Sequence, residues 1–267
     1  MLHKITSASN PLIKTLKALH AKKGRAETGL FLAEGARLAS EAAELGAWPD
    51  ILVVSEAALG RPQVRALLDQ APAHGVRCIE TSESVLTQIS KRDNPQTVIG
   101  AYRQRFAELD AFAGELVVAL EGVRDPGNLG TILRTADSVG ADGVVLLGQS
   151  CDPFSVEAVR ASMGSIFAVP IARASFEDLQ RFNAARGATM IGASLKGMPL
   201  DGDAAAPKRA VLLMGNEQSG LPMEMQAACD WLVRLPMRGR ADSLNLAVAT
   251  ALMMYDLWRR RSYAGAR

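Results

Sequence analysis

The chain has 267 residues, which is about enough for two compact domains at roughly 100 to 200 residues each. Hydrophobic residues make up 48% of the chain and charged residues 22%, and this balance excludes a disordered or collagen-like protein. The net charge of +2 does not by itself indicate a class of partner. Neither the opening stretch MLHKITSASNPLIK nor any aliphatic run is long enough for a signal peptide or a membrane span, so we expect a soluble, cytoplasmic protein.

Two further features of the composition bear on partners. Residues 1–37 carry seven Lys and Arg against two Glu, a balance of +5, so the rest of the chain sums to −3. A basic segment favours contact with nucleic acid, although basic helix faces are often only solvated. The cysteines at positions 78, 151 and 229 are widely spaced and lack any CxxC pattern, so we predict buried thiols, no disulfide framework and no metal site.

Residues 1–105 are predicted to form a small α/β domain. Pro11 begins an amphipathic helix in which Ile13, Leu16 and Leu19 recur near helical spacing. Strand and helix patterns then alternate in the order GLFLAEG, ARLASEAAEL, ILVVS, RPQVRALLDQA, VRCIE and TVIGAY. Weak patterning at residues 104–114 predicts a linker.

Residues 115–267 are predicted to form a second α/β domain built on a mainly parallel sheet. Predicted strands are LVVAL, GVVLL, FAVPIA, TMIGAS, AVLLMG and WLVRLP. Predicted helices span Asn128 to Val139, Ser155 to Ser162 and Phe176 to Arg186, with a short helix after Pro222 and a long final helix from Ser243. Aliphatic strands that alternate with helices are typical of a parallel sheet covered on both faces.

The glycine-rich stretches do not match the two common nucleotide motifs. After LVVAL the chain runs EGVRDPGNLG, which lacks the GxGxxG spacing of dinucleotide-binding folds. The stretch GNEQSGL follows a strand, as a phosphate-binding loop does. Leu221 and Pro222 stand where that loop needs Lys and Ser or Thr, so it provides neither the phosphate charge nor the magnesium ligand.

Polar residues instead recur where predicted strands end and helices begin. These are Asn128 and Arg134 after the first strand of the second domain, Asn216 and Glu217 after AVLLMG, and Ser243 and Asn245 before the final helix. Ligands of open parallel sheets bind beyond the carboxyl ends of the strands, so three such clusters indicate one shared site. The simpler explanation for single residues is local, because Asn128 and Ser243 are good helix N-caps and Gly215 and Gly220 are good turn residues.

Two helices carry further signals. At about 100° per residue, Arg134 points nearly opposite the apolar face formed by Leu129, Ile132 and Leu133, so it does not cover the core. The final helix is apolar on two sides, one through Leu244, Val248, Ala251 and Tyr255 and the other through Met253, Met254 and Leu257. A helix of this kind is buried on both sides, either by its own chain or by a second subunit.

Taken in order, NLGTILRTADSVGADGVVL, VLLMGNEQSGL and PMRGRADSLNLAVATAL resemble the three signature motifs of the SpoU (TrmH-like) branch of the SPOUT RNA methyltransferases. The segment RASMGSIFAVPIA also resembles the family's intervening stretch. The N-terminal pattern ITSASNPLIKTLKAL followed by GLFLAEGARL is similar to the small substrate-binding domain of many members that act on ribosomal RNA.

The resemblance implies a deep trefoil knot, an obligate homodimer, and transfer of a methyl group from S-adenosylmethionine to a ribose 2′-hydroxyl of RNA without a metal. It places in the cofactor pocket Met214, Gly215, Leu235, Leu244 and Asn245. It places in the polar catalytic site Asn128, Arg134, Glu217, Ser243 and Asn245. Family proposals make Arg134 the base, but a guanidinium keeps its proton, so a clamp on the adjacent phosphate is the alternative interpretation.

Several functions are compatible with the sequence. Ribosomal RNA is the favoured substrate because of the N-terminal domain, and methylation of tRNA is the runner-up. A non-catalytic RNA-binding protein is a third hypothesis, against which the intact Arg134, Glu217 and Asn245 argue. The sequence identifies neither the nucleotide nor whether the modification serves ribosome maturation or antibiotic resistance.

Overall fold

The structure is a computed structural model that describes residues 2–200 and 205–266. It divides into two compact units. The first unit comprises Met1–Arg105 with Asp152–Ala168, and the second comprises Phe106–Cys151 with Val169–Arg267. The sequence predicted two consecutive domains, 1–105 and 115–267, whereas the segment at 152–168 groups with the first unit.

The helices and strands are bounded as follows. The strands are β1 (Leu2–Lys4), β2 (Leu30–Glu34), β3 (Ile51–Ser55), β4 (Arg77–Thr81), β5 (Val98–Arg103), β6 (Leu116–Glu121), β7 (Gly143–Leu147), β8 (Ile171–Arg173), β9 (Thr189–Pro199), β10 (Ala210–Met214) and β11 (Trp231–Arg234). The α-helices are α1 (Pro11–Ala18), α2 (Lys22–Thr28), α3 (Ala36–Glu44), α4 (Pro62–Gln70), α5 (Glu83–Ser90), α6 (Pro126–Ser138), α7 (Val156–Ser162), α8 (Ser165–Ala168), α9 (Phe176–Arg186), α10 (Met223–Ala227) and α11 (Leu246–Arg259).

The first unit is built on a sheet of order β1-β4-β3-β5-β2. Strands β1, β3 and β4 are parallel, and β5 runs antiparallel to its neighbours β3 and β2. Helix α1 begins where Pro11 follows Asn10, whose side chain accepts a hydrogen bond from the Leu12 N–H at 2.9 Å. Its Ile13 and Leu16 are fully buried against one face of the sheet, as the sequence predicted, and a second apolar cluster covers the other face.

Residues 152–168 are anchored in the first unit by a buried ion pair and an aromatic cluster. The Arg25 guanidinium donates to Asp152 Oδ2 from Nη2 at 2.7 Å and from Nε at 2.9 Å, and the Arg25 side chain is only 5% exposed. The Phe31 ring of β2 contacts the rings of Phe154 and Phe167 at centroid distances of 5.0 and 5.9 Å. Helical spacing alone predicted α7 but could not show which core it covers.

The second unit is built on an entirely parallel sheet of order β11-β9-β10-β6-β7-β8. The predicted mainly parallel sheet is therefore confirmed. The central strands β6 and β10 are buried along almost their whole length because helices cover both faces of the sheet. Within residues 2–200 and 205–266, no helix is both long and apolar enough to cross a bilayer.

The bounds of several elements differ from the predictions, three of them next to predicted site residues or at a predicted strand. Helix α6 begins at Pro126, since Asp125 caps it in place of Asn128. Helix α11 begins at Leu246 and is capped by Asn245, so the start predicted at Ser243 is wrong. The stretch FAVPIA, predicted as one strand, is divided between the end of α8 and strand β8.

Two basic residues of α2, Arg25 and Lys23, form ion pairs that are predicted to contribute very differently to the stability of the protein. We expect Asp152→Ala to lower the free energy of unfolding by about 3 to 5 kcal/mol, because Arg25 would be left buried without its counter-charge. Disrupting the exposed pair of Lys23 and Glu27 with Lys23→Ala should cost at most about 1 kcal/mol. Urea unfolding followed by circular dichroism compares the two, and equal shifts would contradict a structural role for Asp152.

Candidate active site

One residue from each of the three predicted polar clusters meets in a hydrogen-bonded group. The Asn128 side chain donates through Nδ2 to Glu217 Oε1 at 3.2 Å and accepts at Oδ1 from Asn245 Nδ2 at 2.9 Å. These contacts join residues 89 and 117 positions apart in the chain. They lie where β6 and β10 end side by side, since Leu120 pairs with Met214. Asn128, Glu217 and Asn245 are named the polar trio below.

Helix capping determines which amide groups are available to the trio. Asp125 Oδ1 accepts from the Asn128 N–H at 2.7 Å, so Asp125 caps α6 and the Asn128 side chain is free to cross between elements. Asn245 caps α11 with its oxygen, which accepts from the N–H groups of Ala247 and Val248. Its amide nitrogen therefore points towards Asn128.

The loop that carries Glu217 is closed on itself and tied to the neighbouring strand. Asn216 and Gly220 exchange backbone hydrogen bonds of 3.2 and 2.9 Å. The Asn216 side chain donates to the Gly122 carbonyl at 2.6 Å and accepts from the Gln218 N–H at 2.9 Å. At Gly215 a Cβ atom would lie 2.2 Å from the Gly220 carbonyl carbon, so only glycine fits there.

Asn216 is therefore a positioning residue whose side-chain contacts sequence reasoning did not foresee. Its place in the second polar cluster was recognised, but the partner of its amide depends on the pairing of β6 with β10. A further unforeseen group is Glu121 at the end of β6. Burial raises the pKa of its carboxyl, and its Oε2 is buried with no hydrogen-bond partner among the described residues.

Arg134 and Ser243 lie outside the trio. Arg134 is exposed on α6, opposite the buried side chains of Leu129, Ile132 and Leu133, as the helical spacing predicted. In the described part of the chain its guanidinium has no hydrogen-bond or ion-pair partner, so it can bind an external group. Ser243 is exposed, and its hydroxyl donates to Asp242 Oδ1 at 3.1 Å.

The residues predicted to hold a cofactor gather at one end of the sheet. Met214 ends β10 and is buried, and Gly215 follows it. Leu235 directly follows β11 and is half-buried, whereas Leu244 precedes α11 and is 38% exposed. Asn245, which was predicted for both sites, belongs to the trio.

The segment from 235 to 244 has the character of a binding surface for a flat apolar group with polar edges. None of these residues forms a backbone hydrogen bond to any part of the structure that is described. Leu235, Met237 and Leu244 supply aliphatic side chains that are partly open. Unpaired N–H and C=O groups beside aliphatic side chains suit an adenine ring, and so this donor set fits S-adenosylmethionine.

Cysteine thiols and metal-binding side chains are two further kinds of reactive group in the structure. Burial, with Asp230 nearby, raises the pKa of the Cys229 thiol to about 11, and burial raises the pKa of the Cys78 thiol. Both thiols are therefore poor nucleophiles. Among the residues described, no three His, Cys, Asp or Glu side chains are grouped to hold a metal ion.

Comparison with known proteins identifies the family. The model of the SpoU rRNA Methylase family matches residues 115–255, and that of the MRM3-like substrate binding domain matches residues 10–100. The 23S rRNA (guanosine(2553)-2′-O)-methyltransferase RlmP of Bacillus subtilis is 32% identical over 258 residues, covering 96% of this chain and 99% of the relative. The 23S rRNA (uridine(2479)-2′-O)-methyltransferase of Streptomyces viridochromogenes is 30% identical, covering 97% and 92%.

A solved structure extends the likeness to the whole fold. The AdoMet-bound rRNA methyltransferase of Sinorhizobium meliloti is 46% identical, with a TM-score of 0.89 over 97% of this chain and 98% of that one. The likeness covers both units as well as the strand ends that carry the trio. The chain belongs to the SpoU rRNA methylase family.

Proposed function

We propose that this chain methylates a ribose 2′-hydroxyl of ribosomal RNA with S-adenosylmethionine as the methyl donor. The observation that carries the proposal is the polar trio, which joins three distant motifs beside the predicted cofactor residues. Family membership and the relatives that act on 23S rRNA support it. A ribosomal substrate also agrees with the predicted cytoplasmic location.

The cofactor residues would be Met214, Gly215, Leu235 and Leu244, with Asn245 at their edge. S-adenosylmethionine, when bound, supplies a methyl group activated by a positively charged sulfur. The aliphatic side chains would cover the adenine ring, and the unpaired backbone groups of residues 235 to 244 would meet its polar edge. No side chain fits at Gly215, so the backbone alone borders the pocket at this position.

The protein's own contribution is to align the hydroxyl and to manage its proton. Glu217 is exposed and uses Oε1 for Asn128, so Oε2 remains available for the hydroxyl or for Arg134. Arg134 would clamp the phosphate next to the target ribose and stabilise the negative charge that develops on the oxygen. Asn128 and Asn245 would hold Glu217 and the third motif in fixed positions relative to each other.

Ribosomal RNA is favoured over tRNA because the likeness to ribosomal enzymes spans both units. RlmP is matched over 96% of this chain, and the N-terminal residues 10–100 match a substrate-binding domain. A non-catalytic RNA binder has no reason to keep the trio and an open cofactor segment.

Mapping 2′-O-methyl groups in RNA from cells with and without the gene tests the substrate. An rRNA methylation map that does not change when the gene is absent would reject ribosomal RNA as the substrate.

A homodimer built on α11 forms part of the proposal. The helix buries Leu246, Thr250, Met253 and Leu257 against its own unit. Its other side carries an exposed apolar stripe, which consists of Val248 at 48%, Leu252 at 47% and Tyr255 at 41% exposure, together with Leu244 at 38% just before the helix. A second copy of the chain, related by a two-fold axis, would cover this stripe without leaving polar side-chain groups of the stripe unpaired.

The deep trefoil knot remains a proposal implied by the family. It is supported by the sheet order, in which the chain leaves β10 in the middle of the sheet, passes β9 and returns as the edge strand β11. Strand β11 pairs with both halves of β9, with a shift of register between Leu232 and Val233.

Replacing Arg134 tests its place in the mechanism. We expect Arg134→Ala to lower methyl transfer by about 100- to 1,000-fold, because a preorganised charge is lost from the transition state. Cofactor binding, measured by calorimetry, should not change, since Arg134 is exposed and its guanidinium forms no hydrogen bond or ion pair with a described residue. Arg181→Ala on α9 is the matched control and should keep full activity. Normal turnover in Arg134→Ala would remove this residue from the mechanism.

The apolar stripe of α11 predicts a dissociated variant. We expect Val248→Glu combined with Leu252→Glu to give a monomer in sedimentation, because two carboxylates would be buried at the interface. Met223→Glu on α10 changes a side chain that is 85% exposed outside the stripe and should leave the assembly unchanged. A dimer that persists in the double variant would place the interface elsewhere.

We further propose that Arg134 of one subunit serves the cofactor site of the other. Subunits carrying Arg134→Ala and subunits carrying Leu235→Glu, which blocks the pocket, should each be inactive alone. A mixed dimer should regain at most one working site, because the intact pocket would receive Arg134 from its partner. An inactive mixed dimer of verified composition would show that each site is built within one chain.

A further inference from the structure

The basic character of residues 1–37 is largely neutralised in the folded first unit. Four of its seven basic residues pair with carboxylates: Arg25 with Asp152, Lys4 with Glu56 and Glu80, Lys23 with Glu27, and Arg37 with Glu41. Arg25 is also buried, which removes it from contact with any partner. The segment therefore offers RNA fewer free positive charges than its composition indicates, and basic residues elsewhere in the unit are further candidates for phosphate contacts.

A buried carboxylate organises basic side chains at one end of the first unit's sheet. Glu34 ends β2, and its side chain is only 3% exposed. Glu34 Oε1 accepts from Arg160 Nη2 at 2.7 Å. Glu34 Oε2 is buried and accepts no hydrogen bond from a described residue, and Arg92 Nη1 lies 3.7 Å from it. The carboxylate thus lies between two guanidinium groups.

Both arginines keep donors that face the solvent. The Arg92 side chain is 45% exposed and the Arg160 side chain is 38% exposed. Arg160 is held by Glu34, whereas the side chain of Arg92 is hydrogen-bonded to no residue of the described ranges. A guanidinium has five N–H donors in a planar fork that matches a phosphate. The guanidinium of Arg92 can therefore direct N–H donors towards the solvent while its charge is attracted to the Glu34 carboxylate.

Two more basic residues lie at the same end of the sheet. Lys91 is exposed and ends α5 in the left-handed conformation, with φ of 55°. Arg61 is exposed and donates to Thr97 Oγ1 at 3.4 Å, just before β5 begins beside the end of β2. Arg61, Lys91, Arg92 and Arg160 are named the basic cluster. The four basic residues, counted together with the carboxylates of Glu34 and the exposed Asp93, carry a net charge of +2.

We propose that the basic cluster is the surface of the first unit that binds the RNA backbone, with Arg92 as a phosphate contact and Glu34 as its positioning residue. The inference rests on the proposed function, since it assumes an RNA substrate. The exposed amides of Asn94 and Gln96 in the same loop add groups that can reach sugars and bases. Arg160 enters the cluster from the segment between β7 and β8, so that segment contributes to substrate binding.

Neutral variants of equal charge change provide the test. Lys91→Gln with Arg92→Gln removes two positive charges from the cluster, and Lys14→Gln with Lys22→Gln removes two exposed charges from the N-terminal segment. Each full-length protein is titrated with an unmodified transcript of large-subunit ribosomal RNA at several potassium chloride concentrations. The cluster variant should bind at least about tenfold more weakly, and its salt slope should fall by about 1.4 to 1.8, at 0.7 to 0.9 per phosphate contact.

The control variant should retain most of the affinity and the salt slope. Methyl transfer by the cluster variant should show a raised KM for RNA with an unchanged kcat, because the chemistry lies in the second unit. Glu34→Gln should also raise KM, whether or not it lowers the urea midpoint. A lowered midpoint with normal KM would show that Glu34 is only structural and would overturn its positioning role.

Failure of this inference is distinguishable from failure of the proposed function. Unchanged affinity and slope in the cluster variant, with losses in the control variant, would overturn the inference and assign RNA binding to the N-terminal segment. Absence of methyl transfer by the unmodified protein, with RNA binding intact, would reject the proposed function alone.

Discussion

The side-chain amide of Asn128 is the interaction on which the proposed site depends. An amide group both donates and accepts, so Asn128 can link an acceptor, Glu217, to a donor, Asn245. A carboxylate or an alkyl side chain at this position could satisfy at most one of the two. The link is possible only because Asp125 caps α6 and because Asn245 caps α11 with its oxygen.

The parallel sheet of the second unit brings these side chains together. Parallel pairing of β6 with β10 places their carboxyl ends next to each other, so the first turn of α6, which carries Asn128, lies beside the loop after β10, which carries Glu217. The same arrangement lets the Asn216 side chain bond to the Gly122 carbonyl and thereby fix the loop. Strand β11, which is separated from β10 by β9 and runs parallel to it, leads into the open segment from 235 to 244, so the predicted cofactor residues lie at the carboxyl ends of the strands of the same sheet.

The first unit shows how a chain can separate structural charge from charge that is available to a ligand. The ion pair of Arg25 and Asp152 is buried and holds residues 152–168 in the unit. Glu34 contacts Arg160 in a similar way but leaves both neighbouring guanidinium groups partly exposed. Charge counted along the chain is therefore a poor guide to charge on the surface, because ion pairing between distant residues cancels it.

Sequence patterns alone determined the α/β class, the parallel sheet, the apolar face of α6 and the motifs that meet in the polar trio. These features depend on periodicity and on the order of elements, which are local properties. Only the tertiary structure decided that Asp125 and Asn245 cap the helices, that Asn216 bonds to Gly122, and that residues 152–168 join the first unit. Each of these depends on which distant residue occupies the neighbouring position, and the spacing of residues along one chain does not contain that information.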